Sequence, residues 1–458
     1  MSTYYRHLIE NNLLLDLYPN AAVAYSLRKL RDGYTGNPIR VRRGIDSAEQ
    51  DIPFLSNGNL DTINVEDFCG YNLATFSQDI SNTVWTKTNL NTTGTPPYLD
   101  VAVAPDGTTT ADKMIDTAVF AIHRTSRTAT TTAGVSYNIS VYLKAGERRY
   151  VQIQGNITGT NQIMNADLLT GIISSNTFSN ANLVSVGSGW YRFDYTSTSG
   201  GGSTSVLLVS MQLLPGGNVT YLGDGLSGIY IWGYQFSQTS SVKTYQATTS
   251  IAGGTGFVYI WYDQSGNSRN AEQTTPAHQA QIVINGNIII DTLTNKPTTT
   301  WSADRYTIIG GVNPITRYLS IGVLNRTATS NIIAHIGVAG TIGTVNGQQT
   351  FLWQPTSGNI RTDMYSAVTH GANNSTVAFI TTSEKNASDL KTVYLNGNSL
   401  PTAAIQAPSL TGTFMNSFGQ NGGNYTTCQY QEYIYWNSEQ SANRVAIETL
   451  INNYYAVY

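Results

Sequence analysis

At 458 residues the chain is too long for a single ordinary core, and two domains of about 200 residues each would fit it. Only 12% of its residues are charged and its formal net charge is -3; the Lys and Arg cluster at Arg28 to Arg43 is too short for a phosphate-binding surface, which argues against nucleic acid as a partner. Its 42 Gly and 29 Tyr, with recurrent Thr, Ser and Asn, suit many short strands joined by polar turns, so the expected class is all-β.

Cys69 and Cys428 are too few for a disulfide framework, and no Cys and His spacing resembles a zinc site. Reduced, partly buried thiols are expected, with a Cys69 to Cys428 bridge as the alternative. The N-terminus Met1-Ser2-Thr3-Tyr4-Tyr5-Arg6-His7 has no apolar stretch of signal-peptide length, and nothing later approaches a membrane span. The expectation is synthesis and assembly in a cytoplasm, without membrane insertion.

Residues 1–20 read as an apolar arm, in which Leu8, Ile9, Leu13, Leu14, Leu15 and Leu17 mix with Glu10, Asn11, Asn12 and Asp16. A terminal segment this apolar has to be covered, either on its own domain or on a neighbouring subunit. After Pro19 and Asn20, Val23, Tyr25 or Leu27, Leu30 and Tyr34 recur at helical spacing and Gly33 offers a stop. This predicts a short helix with Arg28, Lys29 and Arg31 on its wet side. Ile39-Arg40-Val41-Arg42 alternates apolar with basic and predicts a half-exposed strand, its arginines paired with carboxylates such as Asp46, Glu49 and Asp51.

From Asn72 the texture changes. Val135, Tyr137, Ile139, Val141 and Leu143 alternate with polar residues, Tyr191, Phe193 and Tyr195 repeat the pattern, and Gly228 to Phe236 is apolar on both faces, as an inner strand of a two-sheet stack would be. The strings Trp85-Thr86-Lys87, Ala104-Pro105-Asp106-Gly107-Thr108-Thr109-Thr110-Ala111-Asp112-Lys113, Val141-Tyr142-Leu143-Lys144-Ala145-Gly146-Glu147, Gly189-Trp190-Tyr191-Arg192 and Gly228-Ile229-Tyr230-Ile231-Trp232-Gly233 resemble, in order, the jelly-roll modules similar to carbohydrate-binding modules that are common in phage structural proteins.

Gly256-Phe257-Val258-Tyr259-Ile260-Trp261 is aromatic and β-branched, as a buried strand should be, and Asp263 to Asn267 is a turn-forming cluster that ends it. Taken with Ala24-Tyr25-Ser26-Leu27-Arg28-Lys29-Leu30-Arg31, Gly33-Tyr34-Thr35-Gly36 and Ile39-Arg40-Val41-Arg42-Arg43, this stretch resembles the sandwich domain of the α-L-arabinofuranosidase B family, which recurs without enzyme activity in tail and head-fibre proteins of tailed bacteriophages. In that family a short link separates the strings; here residues 71–249 lie between them. The resemblance implies a discontinuous concanavalin-like sandwich over 21–70 and 250–458, interrupted by a jelly roll over 71–249, with Asp67 to Gly70 ending beside Ala252 to Thr255. It also implies a bacteriophage virion protein, a fibre, spike or decoration on tail or head. Its partners would be other virion proteins, copies of itself and host surface glycans.

Further on, Ile282-Val283-Ile284, Asn285-Gly286-Asn287 and Ile288-Ile289-Ile290 predict a hairpin with Asn-Gly at its turn. Val393-Tyr394-Leu395-Asn396-Gly397-Asn398 is a strand and turn similar to one in laminin-G and concanavalin-like sandwiches. Ala446, Leu450, Ile451 and Tyr454 recur at helical spacing, so the chain is expected to close with a short helix.

Glycoside hydrolysis is the sharpest enzymatic alternative, since it needs two carboxylates, about 5 Å apart for retention and somewhat more for inversion. Asp263, Asp291, Asp304, Asp363, Glu384, Asp389 and Glu432 are the candidates within the interrupted sandwich, and no two of them match catalytic motifs of the resembled family. No catalytic residue is therefore assigned, and Asp263, followed by Gln-Ser-Gly, reads as a turn stabiliser. Glycan binding by exposed aromatic faces is the binding alternative. Trp190, Trp232, Trp261 and Trp436 lie in strand-like runs and are expected in the core, whereas Trp85, Trp301 and Trp353 have more polar neighbours and are the candidate glycan-binding residues. No cofactor is expected; Ca²⁺ would need clustered oxygen ligands that the sequence does not assemble.

Overall fold

The computed structural model describes residues 13–91, 98–250, 253–312, 317–326, 333–334, 336–337, 352–353, 359–362, 368–372, 377–386, 388, 390–400, 415–421 and 424–458. Asp363, Asp389 and residues 1–12 of the apolar arm lie outside them. The described chain is all-β, built of antiparallel strands with short helices near both ends. It divides into two compact units, the first drawn from residues 1–69, 255–284 and 288–458 and the second from 70–254 with 285–287.

The first unit is organised around the strand Asn424–Trp436, which pairs with Val23–Ser26, Thr299–Asp304 and Tyr318–Asn325. The last of these continues through Ala378–Lys385 to Lys391–Leu395. Ile39–Arg43 pairs with Glu49–Ile52 on one side and Gly256–Trp261 on the other, and most strands of the unit join into one closed network, while Ile333–Ala334, Leu352–Trp353, Asn359–Thr362 and Val368–Ala372 form a separate four-stranded sheet. Its interior is aromatic: Trp301 packs 5.1 Å, centroid to centroid, from each of Tyr306, Phe418 and Tyr430. Trp261 and Trp436 are buried as their strand-like contexts predict.

Where a helix is predicted over residues 23–34, the structure has the strand Val23–Ser26. All four of its residues are buried, so both faces must be apolar or hydrogen-bonded, and the helical spacing of Val23, Leu27 and Leu30 is coincidental with that two-sided burial. Tertiary partners decide the matter. One edge of the segment pairs with Glu432 to Tyr435. Its other edge meets the turn after Trp261: Asp263 accepts from Ala24 N–H at 2.9 Å, Gln264 Oε1 accepts from Leu30 N–H at 2.8 Å, and Gln264 Nε2 donates to the carbonyls of Ser26 and Arg28 at 3.0 Å each. Gly266 in this turn has φ +97, a backbone conformation that favours glycine.

The arginines are absorbed within the fold. Arg40 pairs with Asp51 at 2.7 Å and Arg43 with Asp46 at 2.7 Å, while Arg28 pairs with the buried Glu432 at 2.8 Å. Arg42 departs from the half-exposed expectation, being buried against Phe257 and donating to Gln279 Oε1 at 2.6 Å. The Asn-Gly turns at Asn285-Gly286 and Asn396-Gly397 form with left-handed residues, φ 50 and 77 in each. Cys69 and Cys428 are free and buried, and burial pushes the Cys69 thiol up to about 12.

The C-terminal helix Arg444–Tyr455 buries Ile447, Ile451 and Tyr455, one stripe at a spacing of four. Leu14 and Leu15, in the short helix Leu14–Leu17, join that stripe together with Leu319, Ile321 and Trp436. The described end of the apolar arm thus packs on its own chain.

In the second unit two six-stranded sheets are stacked. One runs Ile172–Asn176, Gln162–Asp167, Tyr150–Gly155, Gly202–Gln212, Arg124–Thr131, Thr86–Thr88. The other runs Ala181–Gly187, Trp190–Thr198, Ser136–Ala145, Gly228–Ser237, Asp112–Asp116, Leu90–Asn91. Ile139, Val141, Val151, Ile153, Phe193 and Ile231 fill the space between them. The two ends of this stretch of chain meet, Gly253 N–H donating to Asn72 O at 3.1 Å.

Two substitutions test the first unit. Asp263→Ala removes the acceptor of Ala24 N–H, Ser265 N–H, Ser265 Oγ–H and Arg269 N–H, and chemical denaturation should show a loss of about 3 kcal/mol. Leu15→Ala should cost roughly 2 to 5 kcal/mol by the same measurement, whereas an unchanged midpoint would detach the arm from the core.

Candidate functional site

The second unit leaves a gap where both sheets lose an edge strand. Thr86–Thr88 pairs only with Arg124 to Ser126, and Asp112–Asp116 reaches only Ile231 along its neighbour. Beyond Ile231 the second strand is met by the irregular segment from Leu73, whose N–H donates to Phe236 O at 2.8 Å, to Ser77, whose O accepts from Tyr234 N–H at 2.9 Å. A cavity of about 600 Å³ occupies this region, lined among others by Leu73, Thr75, Arg127, Ala129, Tyr234 and Phe236.

Arg127 dominates its chemistry. It alternates with Thr125, Ala129 and Thr131 on the inward face of Arg124–Thr131 and is only 5% exposed. Its Cζ lies 5.0 Å from the ring centroids of both Trp85 and Tyr234, favourable cation–π geometry. Nη2 donates to Thr75 O at 3.0 Å, while Nε and Nη1 have no hydrogen-bond partner among the described residues. Burial holds its pKa below the usual arginine value. A buried guanidinium without a counter-charge is costly unless something polar meets its free donors.

Trp85 does not offer its face to solvent. It is 2% exposed, donates Nε1–H to Phe76 O at 3.0 Å and supports Arg127. Its polar sequence neighbours occupy a turn and a short edge strand, which is why they mislead. Trp301 is 1% exposed and donates to Thr299 Oγ1 at 2.8 Å. The polar residues around it lie on a strand hydrogen-bonded into the core, since Thr298 and Thr299 hydroxyls both donate to Tyr430 O. Neither indole is an exposed saccharide platform. Trp353 belongs to the short strand Leu352–Trp353, and its side chain lies outside the described residues. Trp190 and Trp232 are buried in the second unit as expected.

A second cavity of about 420 Å³ is lined by Asp79, Asp100 and Asp112 with Phe76, Gln78 and Leu99. Asp112 accepts from Ile80 N–H and Asp100 N–H, both at 2.9 Å, so its two oxygens tie two loops together. Burial pushes its carboxyl up to about 7, with a smaller push from the charges of Asp100 and Asp79. Among the described residues no group of three or more His, Cys, Asp or Glu side chains is placed to hold a metal ion.

The carboxylates considered for hydrolysis serve the fold of the first unit. Asp263 caps its turn, Asp291 accepts from Leu293 N–H, Thr294 N–H and Asn325 Nδ2, Glu432 accepts from Ser26 and Arg28, and Glu384 accepts from Tyr394. Asp304 lines a cavity of about 470 Å³ and burial pushes it up to about 6; among the described lining residues it is the only carboxylate. One carboxyl does not supply the acid and base or nucleophile that glycoside hydrolysis requires.

No family model and no curated protein matches the chain. Among solved structures it is similar to Trypanosoma rangeli sialidase in complex with 2,3-difluoro-KDN, at 8% identity and TM-score 0.26, covering 76% of this chain and 55% of that one. Trypanosoma rangeli sialidase in complex with sialic acid aligns at 7% identity and TM-score 0.27 over the same shares. The chain spans 55% of the length of these two proteins, and likenesses this faint carry no argument about the site.

Arg127 and Asp112 escape the sequence reading, although Asp112 stands inside one of the quoted strings. The available signal for Arg127 is its place in an alternating strand, on the face that also carries Ala129. The raised Asp112 pKa gives a signed prediction. A native carboxyl that keeps its proton up to about 7, against an ordinary value of 3.8, contributes stability below pH 3.8 that is lost as pH rises towards 7. Thermal melts from pH 4 to 8 should fall more steeply for the wild type than for Asp112→Asn, and parallel curves would remove Asp112 from the account.

Proposed function

We propose that the chain is a display protein of a tailed-bacteriophage virion, a fibre, spike or decoration on tail or head, whose second unit binds saccharides of the host surface. The saccharide half of this reading is carried by the cavity of about 600 Å³ beside Arg127, whose lining combines the aromatic residues Tyr137, Tyr234 and Phe236 with the polar residues Thr128, Thr130 and Thr132. Mixed aromatic and hydroxyl walls suit a ligand with apolar ring faces and many hydroxyls. The virion half is supported by the two sequence resemblances, which run through both units and lead to phage structural proteins. Other virion proteins and copies of itself are the partners this reading requires, and the particle is its location.

Mass spectrometry of purified particles should find the protein as a stoichiometric component, and a particle without it would end the virion reading. A glycan array probed with the full chain should give reproducible saccharide binding that Tyr137→Ala weakens by at least about tenfold, as loss of an aromatic wall would. Silence across the array would end the saccharide reading.

A further inference from the structure

The first unit has a cavity of its own, of about 470 Å³, and strand register fixes what its floor is made of. Phe257 stands directly opposite Gln281, and Gln281 opposite Thr300, so the three side chains share one face of the sheet. Their chain neighbours Val258, Ile282 and Trp301 point the other way, into the core. All three floor residues are half-exposed, and Ser302, two residues beyond Thr300 on the same face, is exposed. Pro276 and Ala277, from the turn Pro276–His278, form a wall. Arg42, opposite Phe257 on the next strand, donates Nε–H to Gln279 Oε1 at 2.6 Å and lies 4.8 Å over the Phe257 ring, which holds the ring in place before any ligand arrives. Gln281 is held as well, its Nε2 donating to Val283 O at 3.1 Å.

We propose that this cavity is a second saccharide site, taking a neutral hexose residue with a ring face on Phe257 and hydroxyls on Gln281, Thr300 and Ser302. An aromatic ring, an amide and hydroxyls on one face are the groups that stack against a sugar and hydrogen-bond to it. The ladder runs unbroken from Arg42 through Phe257, Gln281 and Thr300 to Gln429. No strand edge is therefore open here to an extended peptide, whose affinity would come from main-chain hydrogen bonds. No lysine or arginine stands among the described lining residues, and the one carboxylate, Asp304, accepts from Ser302 N–H at 2.6 Å, so the lining offers no partner to an acidic sugar. The inference goes beyond the reading above, which puts saccharide on the second unit, and uses none of that unit's residues.

The test is calorimetric titration of the full chain with three probes: an α-linked glucose oligomer, a β-linked glucose oligomer and a galactose oligomer, all neutral. At least one should bind. Phe257→Leu should weaken that binding by about tenfold, as loss of a ring platform would, and Thr300→Val by about threefold to tenfold, the scale of one hydrogen bond. Where the second unit binds the same oligomer, each variant should weaken or remove one of two sites. Thr300→Val keeps the shape and strand preference of the residue and leaves Phe257 and Arg42 untouched, so it stands even if Phe257→Leu fails to fold. Wild-type affinity and site number in Thr300→Val and in a folded Phe257→Leu, or no binding of any of the three oligomers, overturns the inference. Binding lost in Tyr137→Ala but kept in Thr300→Val overturns it and leaves the second-unit reading standing. Binding weakened in Thr300→Val but kept in Tyr137→Ala supports it and counts against the second-unit reading.

Discussion

The first unit depends on side chains standing in for a strand. The segment from Ala21 to Leu30 has a regular partner on one edge only, the strand Asn424–Trp436. On its other edge Asp263, Gln264 and Asn267 take up the backbone groups that a neighbouring strand would have taken: Ala24 N–H, Leu30 N–H, and the carbonyls of Ala21, Ser26 and Arg28. The bonds to Ala24 N–H, Leu30 N–H and the Ser26 carbonyl are buried, so leaving one of those groups unmet would cost about 1 to 3 kcal/mol. The turn is itself held by Asp263, which accepts from Ser265 and Arg269. This makes two stretches more than 230 residues apart in sequence into a single structural element.

That constraint explains what could be read from the sequence and what could not. The co-occurrence of the string around Tyr25 with the string around Trp261 is legible because the two are in contact. The local conformation of Val23–Ser26 is not legible, because its partners come from residues 263–267 and 432–435 and its own spacing fits a helix equally well. By contrast the C-terminal helix is declared by its own residues, since only one of its faces is buried. The Asn-Gly turns are declared by backbone chemistry alone.

Trp85 and Trp301 depart from the sequence expectation for a related reason. Polar neighbours in sequence suggest solvent, yet the Thr hydroxyls around Trp301 are buried and donate to the core carbonyl of Tyr430. Around Trp85 the neighbouring polar residues are partly exposed while the indole turns inward to Phe76 and Arg127. In a chain this rich in Thr, Ser and Asn, polarity marks hydrogen-bonding capacity, and whether water or protein satisfies it is settled by which strand lies alongside.

Arg127 shows the same principle at a site where satisfaction is incomplete. Three other arginines meet carboxylates or amides: Arg28 meets Glu432, Arg148 meets Asp116, and Arg42 meets Gln279. The second unit therefore has the means to neutralise a buried guanidinium, and Asp116 is used for that purpose with two backbone N–H groups from Asp224 and Gly225 added. Arg127 instead receives two aromatic rings and one carbonyl. Rings attract the cation but do not fill its N–H directions, and a leucine at this inward position would pack against Trp85 and Tyr234 without any desolvation cost.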